Sequence, residues 1–211
     1  SDEIELTFTE NRKEALLVLI KSEKNADNDG YIFFKKEQQA NLLANNQRGF
    51  IYGLQYISEQ LQQGIEWNDL DEKEIEAHYG FRAIKFNLPW HSYRKGKHLS
   101  LHYDTCKDLK FWESFLDMMS KNKFNVLSLW NLHPYMYMVE SDKFPKARSF
   151  TAEEMAAWKS FFKSLFKMAK DRGIETYVFN WNIFVSDEFS DAYNVSTNAK
   201  TSIRHNFWGS G

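Results

Sequence analysis

The sequence predicts an α/β protein in two parts, and three observations predict it. Ahead of about Ile75 the apolar residues fall into short strand-like runs followed by one helix-spaced stretch. From Arg82 onward the pattern becomes strand, loop, helix, and repeats. The stretches after these later strands are long and those after the helices are short.

In the first part, residues 15–20 (ALLVLI) form an apolar run of the length of a buried strand. Asp27, Asn28, Asp29 and Gly30 form a turn cluster. Residues 31–34 and 40–44 are two further strand candidates, and Asn45, Asn46, Gln47, Arg48 and Gly49 break the pattern again. Phe50, Tyr52, Gly53, Leu54, Ile57 and Leu61 then recur at helical spacing up to Gly64. The expectation is one amphipathic helix laid on a small sheet.

In the second part, residues 83–88 are a strand candidate ended by Pro89. Leu109, Trp112, Phe115, Leu116 and Met119 share one face of a helix that Thr105 or Asp104 can cap, with Asp108 in its first turn. Residues 125–130 (NVLSLW) are the second strand. Thr151 and Glu154 form a capping box ahead of a helix whose buried stripe is Met155, Trp158, Phe162, Leu165 and Ala169, and Gly173 is a suitable residue to end it. Residues 174–181 (IETYVFNW) are the third strand, and residues 201–207 could begin a further helix. Strands alternating with helices imply parallel pairing. Long strand-to-helix loops opposite short helix-to-strand loops are the asymmetry of a (β/α)8 barrel. Residues 82–211 leave room for three strands, whereas a full barrel takes about 250 residues, so the barrel is expected to be incomplete in this chain.

Composition excludes several classes. Net charge is −2, from 27 basic and 29 acidic residues, and no basic block stands out, so a nucleic-acid partner has no electrostatic support. No apolar run approaches the roughly 20 residues of a membrane span. Cys106 is the single cysteine, which rules out an intrachain disulfide. With 9 glycines in 211 residues there is no phosphate-cradling Gly-rich loop. Aromatics are the outlier at 17 %, which points either to a large aromatic core or to stacking platforms in loops.

Three segments carry a resemblance. Gly49-Phe50-Ile51-Tyr52-Gly53-Leu54-Gln55 resembles the helix start of the accessory domain that precedes the barrel in β-N-acetylhexosaminidases and α-glucuronidases. Phe81-Arg82-Ala83-Ile84-Lys85-Phe86-Asn87 stands where those enzymes carry an aromatic-Arg-Gly motif opening the first barrel strand. Residues 124–133 resemble their second strand, an Asn-x-hydrophobic run ending in polar, sugar-facing residues. The resemblance implies an accessory α/β domain over residues 1–78 and the first three βα units of a catalytic (β/α)8 barrel over 79–211. It further implies a glycoside hydrolase that binds and cleaves a terminal sugar, a uronic acid or related unit, of an oligosaccharide or polysaccharide. It implies no cofactor, and its substrate class implies a periplasmic or secreted location. In hexosaminidases the first strand ends in Asp-x-x-Arg-His. The matching stretch here is Asn87-Leu88-Pro89-Trp90-His91, with Trp90 in the place of the sugar-holding arginine, which favours a different sugar. The family's catalytic carboxylates come from strands beyond the third, so they are expected beyond Gly211. The alternative from another class is a non-catalytic carbohydrate-binding protein on the same fold.

Sugars are held by flat aromatic faces and by polar side chains matched to hydroxyls. The three strand ends supply that mixture: Asn87, Trp90 and His91; Trp130, Asn131 and His133; Asn180, Trp181 and Asn182. These nine are the candidate sugar-binding residues. The competing reading has Trp130 and Trp181 fill the barrel while the asparagines tie down loops. Tyr93, Tyr135 and Tyr137 could line the same cleft but more simply cover core edges. Asp187 and Glu188 are too close in sequence to act as a hydrolytic pair and read as a solvated loop or a charge that tunes the site. His98 and His102 lie in a predicted loop without a third ligand, so no metal is expected. Cys106 reads as a structural thiol.

Overall fold

The structure, a computed structural model, describes residues 17–21, 28–36, 39–90, 96–131, 134–179 and 187–194. The fold is mixed α/β, and the chain divides into two compact units. Residues up to Arg82, with 120–123, belong to the first; 83–119 and 124–211 belong to the second.

The first unit holds β1 (Leu17–Lys21), β2 (Tyr31–Lys36), β3 (Gln39–Ala44), α1 (Gln47–Gln62) and β4 (Lys73–Ile75). They form one sheet in the order β1-β3-β2-β4. β1 runs parallel to β3, and the other two pairings are antiparallel. The expected strands are present, while β4 is an addition: three residues, Lys-Glu-Ile, are too short to show an alternation, and pairing to β2 creates the strand. The break expected at 45–49 is a helix start. Asn46 is extended (φ −145°), and its Oδ1 accepts a hydrogen bond from the Gly49 backbone N–H at 3.0 Å, so α1 begins at Gln47, ahead of its first apolar residue. Tyr52 and Ile57 of α1 join Tyr31, Phe33, Ala40, Leu42, Ala44 and Leu70 in one core. The helix lies close to the sheet because Gly49 and Gly53 face it: a Cβ on Gly49 would stand 2.5 Å from the Gly30 carbonyl oxygen, and one on Gly53 would overlap the Leu42 side chain.

The second unit holds β5 (Ala83–Asn87), α2 (Lys97–Ser100), α3 (Leu109–Lys121, whose last two residues fall in the first unit), β6 (Val126–Trp130), α4 (Ala152–Asp171), β7 (Glu175–Phe179) and α5 (Asp187–Tyr193). β5, β6 and β7 form a wholly parallel sheet in that order. Three parallel strands are an open sheet, whereas a closed barrel has eight. The capping box on α4 is present, with the Thr151 side chain accepting from Glu154 N–H and the Glu154 carboxylate from Thr151 N–H. Gly173 follows α4 with φ 71°, the left-handed conformation that suits glycine. The cap of α3 differs from expectation. Residues 105–107 form their own 3-10 turn, and Asp108, extended and just outside α3, accepts from Lys110 N–H at 2.9 Å. α2 and α5 fall where loops were expected, and the helix candidate at 201–207 lies outside the described residues.

One face of this sheet is covered by helices. Leu127 and Leu129 share a core with Trp112, Leu116 and Met119 of α3 and Phe162, Leu165 and Ala169 of α4. On the same face Phe86 packs against Phe111, Trp112 and Phe115, with ring centroids 4.8–6.0 Å apart. Much of the aromatic excess is therefore core.

Candidate functional site

Parallel register puts paired residues on the same face, so the face away from α3 and α4 can be read in rows. Ala83, Val126 and Glu175 form the first row, Lys85, Ser128 and Tyr177 the second, and Asn87, Trp130 and Phe179 the third, at the C-terminal ends of the strands. The outer strands leave this face open: Tyr177 is 43 % and Phe179 53 % exposed, and Lys85 and Asn87 are exposed as well. Central β6 is buried along its whole length, Trp130 included. The Lys85 ammonium lies 5.1 Å from the Trp130 ring centroid, in reach of a cation–π contact. The third row thus sets an exposed amide and an exposed phenyl ring on either side of a buried indole, with a cation one row below.

Four of the nine candidate sugar-binding residues fall among the described residues, and they divide in two. Asn87 and Trp130 are direct register partners in the third row. Trp90 and Asn131 instead build the wall behind it. Trp90 is buried among Tyr137, Trp158 and Phe161, with centroids 4.8–6.1 Å away, and its Nε1–H donates to the Tyr103 carbonyl at 3.3 Å. Asn131 is fully buried, and its side-chain amide donates to the Trp90 carbonyl. His91, His133, Asn180, Trp181 and Asn182 lie outside the described residues, as does Tyr93.

The loops after the three strands meet at this end of the sheet. Trp90 from the first loop packs on Tyr137 from the second, and Phe144 of the second packs on Phe189 and Tyr193 of α5, after the third. Tyr137 is core rather than cleft. Burial first, then the nearby Tyr103 and Glu188, push its hydroxyl well above the ordinary tyrosine range. Tyr135 is half exposed. Glu188, at the start of α5, is partly exposed, with its Oε2 sealed from solvent and without a hydrogen-bond partner. Cys106 is buried, and burial pushes its thiol up to about 11, away from the thiolate that nucleophilic chemistry needs. His98 lies in α2 and His102 just after it, and among the described residues no three His, Cys, Asp or Glu side chains gather as metal ligands.

Sequence reading overlooked two features. Lys85, Tyr177 and Phe179 belong to the open face, and the two-residue alternation within 174–181 was the signal for the last two. Asp29, read as a turn residue, is a buried hub of the first unit. Its carboxylate takes bonds from Arg48 Nε (2.8 Å), Arg82 NH2 (2.6 Å) and Asn46 Nδ2 (3.0 Å). Burial raises its pKa, but the bonds from Arg82, Arg48 and Asn46 outweigh that and hold it below the usual aspartate value. No helix among the described residues is long and apolar enough to cross a membrane.

No protein-family model matches the chain, and no curated protein matches it by sequence. Solved structures do match by fold. A GH138 enzyme targeting pectin rhamnogalacturonan II superposes with a TM-score of 0.71 at 24 % identity, over 85 % of this chain and 21 % of its own. A β-N-acetylhexosaminidase from Bacteroides fragilis gives 0.56 at 15 % identity, over 88 % of this chain and 37 % of its own. A GH89 protein from Clostridium perfringens, solved in complex with its substrate GlcNAc-α-1,4-galactose, gives 0.50 at 14 %, over 85 % and 24 %. This chain spans about a fifth to two fifths of the length of these neighbours. At such identities the likeness is one of fold, and the proteins that share the fold are glycoside hydrolases.

Proposed function

We propose that this chain is the front part of a glycoside hydrolase that binds and cleaves a terminal sugar of an oligosaccharide or polysaccharide. In this reading residues 1–78 are an accessory α/β domain, and 79–211 are the first three βα units of a (β/α)8 barrel. The open face of β5-β6-β7 is then barrel interior, and later strands complete it. The observation that carries the reading is the row Asn87–Trp130–Phe179 at the C-terminal strand ends. Barrel enzymes place their sites at that end, and an exposed amide in a row with aromatic rings is the kind of chemistry that holds a sugar ring.

Lys85 refines the substrate class. An exposed ammonium beside the Trp130 ring favours a sugar that bears a carboxylate, a uronic acid, over a neutral one. Hydrolysis requires one carboxylic acid to protonate the leaving oxygen and a second group to act as nucleophile or base. In this reading those carboxylates come from later strands, and the residues of this chain position the sugar. A polysaccharide substrate places the protein outside the cytoplasm, in the periplasm or secreted.

The test is an assay of the full-length protein on aryl glycosides and aryl glycosiduronates. Turnover of a glycosiduronate that falls at least tenfold in a Lys85→Met variant supports the uronate reading. Turnover of neutral glycosides alone keeps the hydrolase and removes the uronate. Saturable sugar binding without turnover points to the carbohydrate-binding alternative, and neither binding nor turnover sinks the proposal.

A further inference from the structure

β5 and β6 are parallel and are joined through α3, so no hairpin turn sets their register. The row at their C-terminal ends depends on that register, because a slip of one residue takes Trp130 off the face that bears Asn87. At that end the pair is tied by the Leu88 N–H and the Asn131 amide, which donate to the Trp130 and Trp90 carbonyls. At the N-terminal end the tie is a side chain, that of Arg82, the residue just ahead of β5. Its Nε donates at 2.6 Å to the carbonyl of Lys123, three residues ahead of β6. The bond joins the two segments that lead into β5 and β6, ahead of their first register pair, Ala83 and Val126.

The rest of the guanidinium is held as well. NH1 donates to the Tyr79 carbonyl, and NH2 reaches the Asp29 carboxylate at 2.6 Å and the Tyr52 hydroxyl at 3.4 Å. Arg48 and Asn46 hold the Asp29 carboxylate in turn. A guanidinium is a rigid planar fork, so fixing two of its nitrogens aims the third. Lys123 carries a second, independent sign. Its φ of 61° is a left-handed conformation uncommon for a residue with a side chain. The matching turn after α4 uses Gly173 at φ 71°. In both turns the next N–H bonds back to the helix at 2.9 Å, Phe124 to the Met119 carbonyl and Ile174 to the Ala169 carbonyl. Strained backbone persists where its surroundings hold it, and Arg82 grips this one by its carbonyl.

We infer that Arg82 is a positioning residue for the sugar site: it sets where β5 and β6 begin, and thereby aligns Asn87 with Trp130 about 16 Å further along the sheet. This role rests on the sugar-site reading above, and it is exerted through the backbone rather than on the sugar.

Three variants of the full-length protein separate positioning from plain stability. Each is titrated by calorimetry with D-glucuronate, D-galacturonate and N-acetylglucosamine, well below its melting temperature. Hydrogen exchange of the β5 and β6 amides is followed by mass spectrometry. Arg82→Met removes the donors but keeps an unbranched side chain. Affinity for the preferred sugar should fall roughly tenfold, because the row is displaced, and the β5 and β6 amides should exchange at least about tenfold faster. Arg82→Lys keeps the positive charge beside Asp29 but not the fork. It should melt above Arg82→Met and still lose much of the affinity. Asp29→Asn breaks the ion pair but leaves Arg82 and its bond to the Lys123 carbonyl. It should melt at or below the temperature of Arg82→Lys, yet keep its affinity within about threefold of wild type. Affinity and exchange that simply follow melting temperature across the three variants would show that Arg82 acts through general stability, and overturn the positioning role. Unchanged affinity and exchange in a folded Arg82→Met also overturn it, while leaving the sugar site standing. Failure of the wild type to bind any of the three sugars removes both readings.

Discussion

The side-chain amide of Asn131 donates to the backbone carbonyl of Trp90, tying the residue just past β6 to the loop that leaves β5. Both residues are buried, and the neighbouring Leu88 N–H donates to the Trp130 carbonyl at 2.8 Å. The two strand ends are thereby held in one geometry behind the Asn87–Trp130–Phe179 row, and an amide in this position serves the backbone before it serves a ligand.

Asn131→Leu should therefore act on the framework. The Trp90 carbonyl would lose a buried donor, a cost of about 1–3 kcal/mol. The expected outcome in chemical denaturation is a lower midpoint with an unchanged slope, together with weaker sugar binding. Unchanged stability would show that the bond is dispensable.

Asp29→Asn probes the hub of the first unit. Removing one partner of a buried ion pair typically costs about 3 kcal/mol. The pH dependence has a definite sign. The folded-state pKa of Asp29 lies below its unfolded value, so its stabilising contribution is complete above about pH 4 and disappears as pH falls through the folded pKa. The gap in stability between wild type and Asp29→Asn should be wide at neutral pH and narrow toward pH 2. A gap independent of pH would mean that the carboxylate charge is not what the arginines hold.

Gly49→Ala tests the close approach of α1 to its sheet. The new Cβ would meet the Gly30 carbonyl oxygen, which is backbone and cannot rotate away. Although alanine is the better helix former, the variant should lose about 1–3 kcal/mol by overpacking. A gain in thermal stability would show that α1 can lift away at no cost.

Cys106 should be silent toward thiol reagents. With its pKa pushed to about 11 by burial, almost none of it is thiolate at pH 8. Reaction with an aromatic disulfide reagent should be slow in the native protein and fast in denaturant. Rapid native labelling would mean that residues 105–107 open readily.

The sequence by itself determined the α/β class, the order of the main elements and most of their ends. Those features depend on neighbours within one turn or one strand: the Thr151–Glu154 box, the left-handed Gly173, and the spacing of Leu109, Trp112 and Leu116. It also brought Asn87 and Trp130 forward as strand-end candidates, whereas their pairing in one row came only from the register. What only the tertiary structure decided is which polar groups face each other across long separations. Trp90 and Asn131 looked alike as strand-end residues, yet their partners, Trp158 and the Trp90 carbonyl, are set by packing. Asp29 looked like a turn residue until Arg82, more than fifty positions away, closed on it. Glu188 gave no sign of burial because a sequence shows charge but not the packing that shuts one of its oxygens from water. Local spacing sets backbone conformation, whereas burial and long-range pairing set the state of a polar group, and only the second decides what a site can bind.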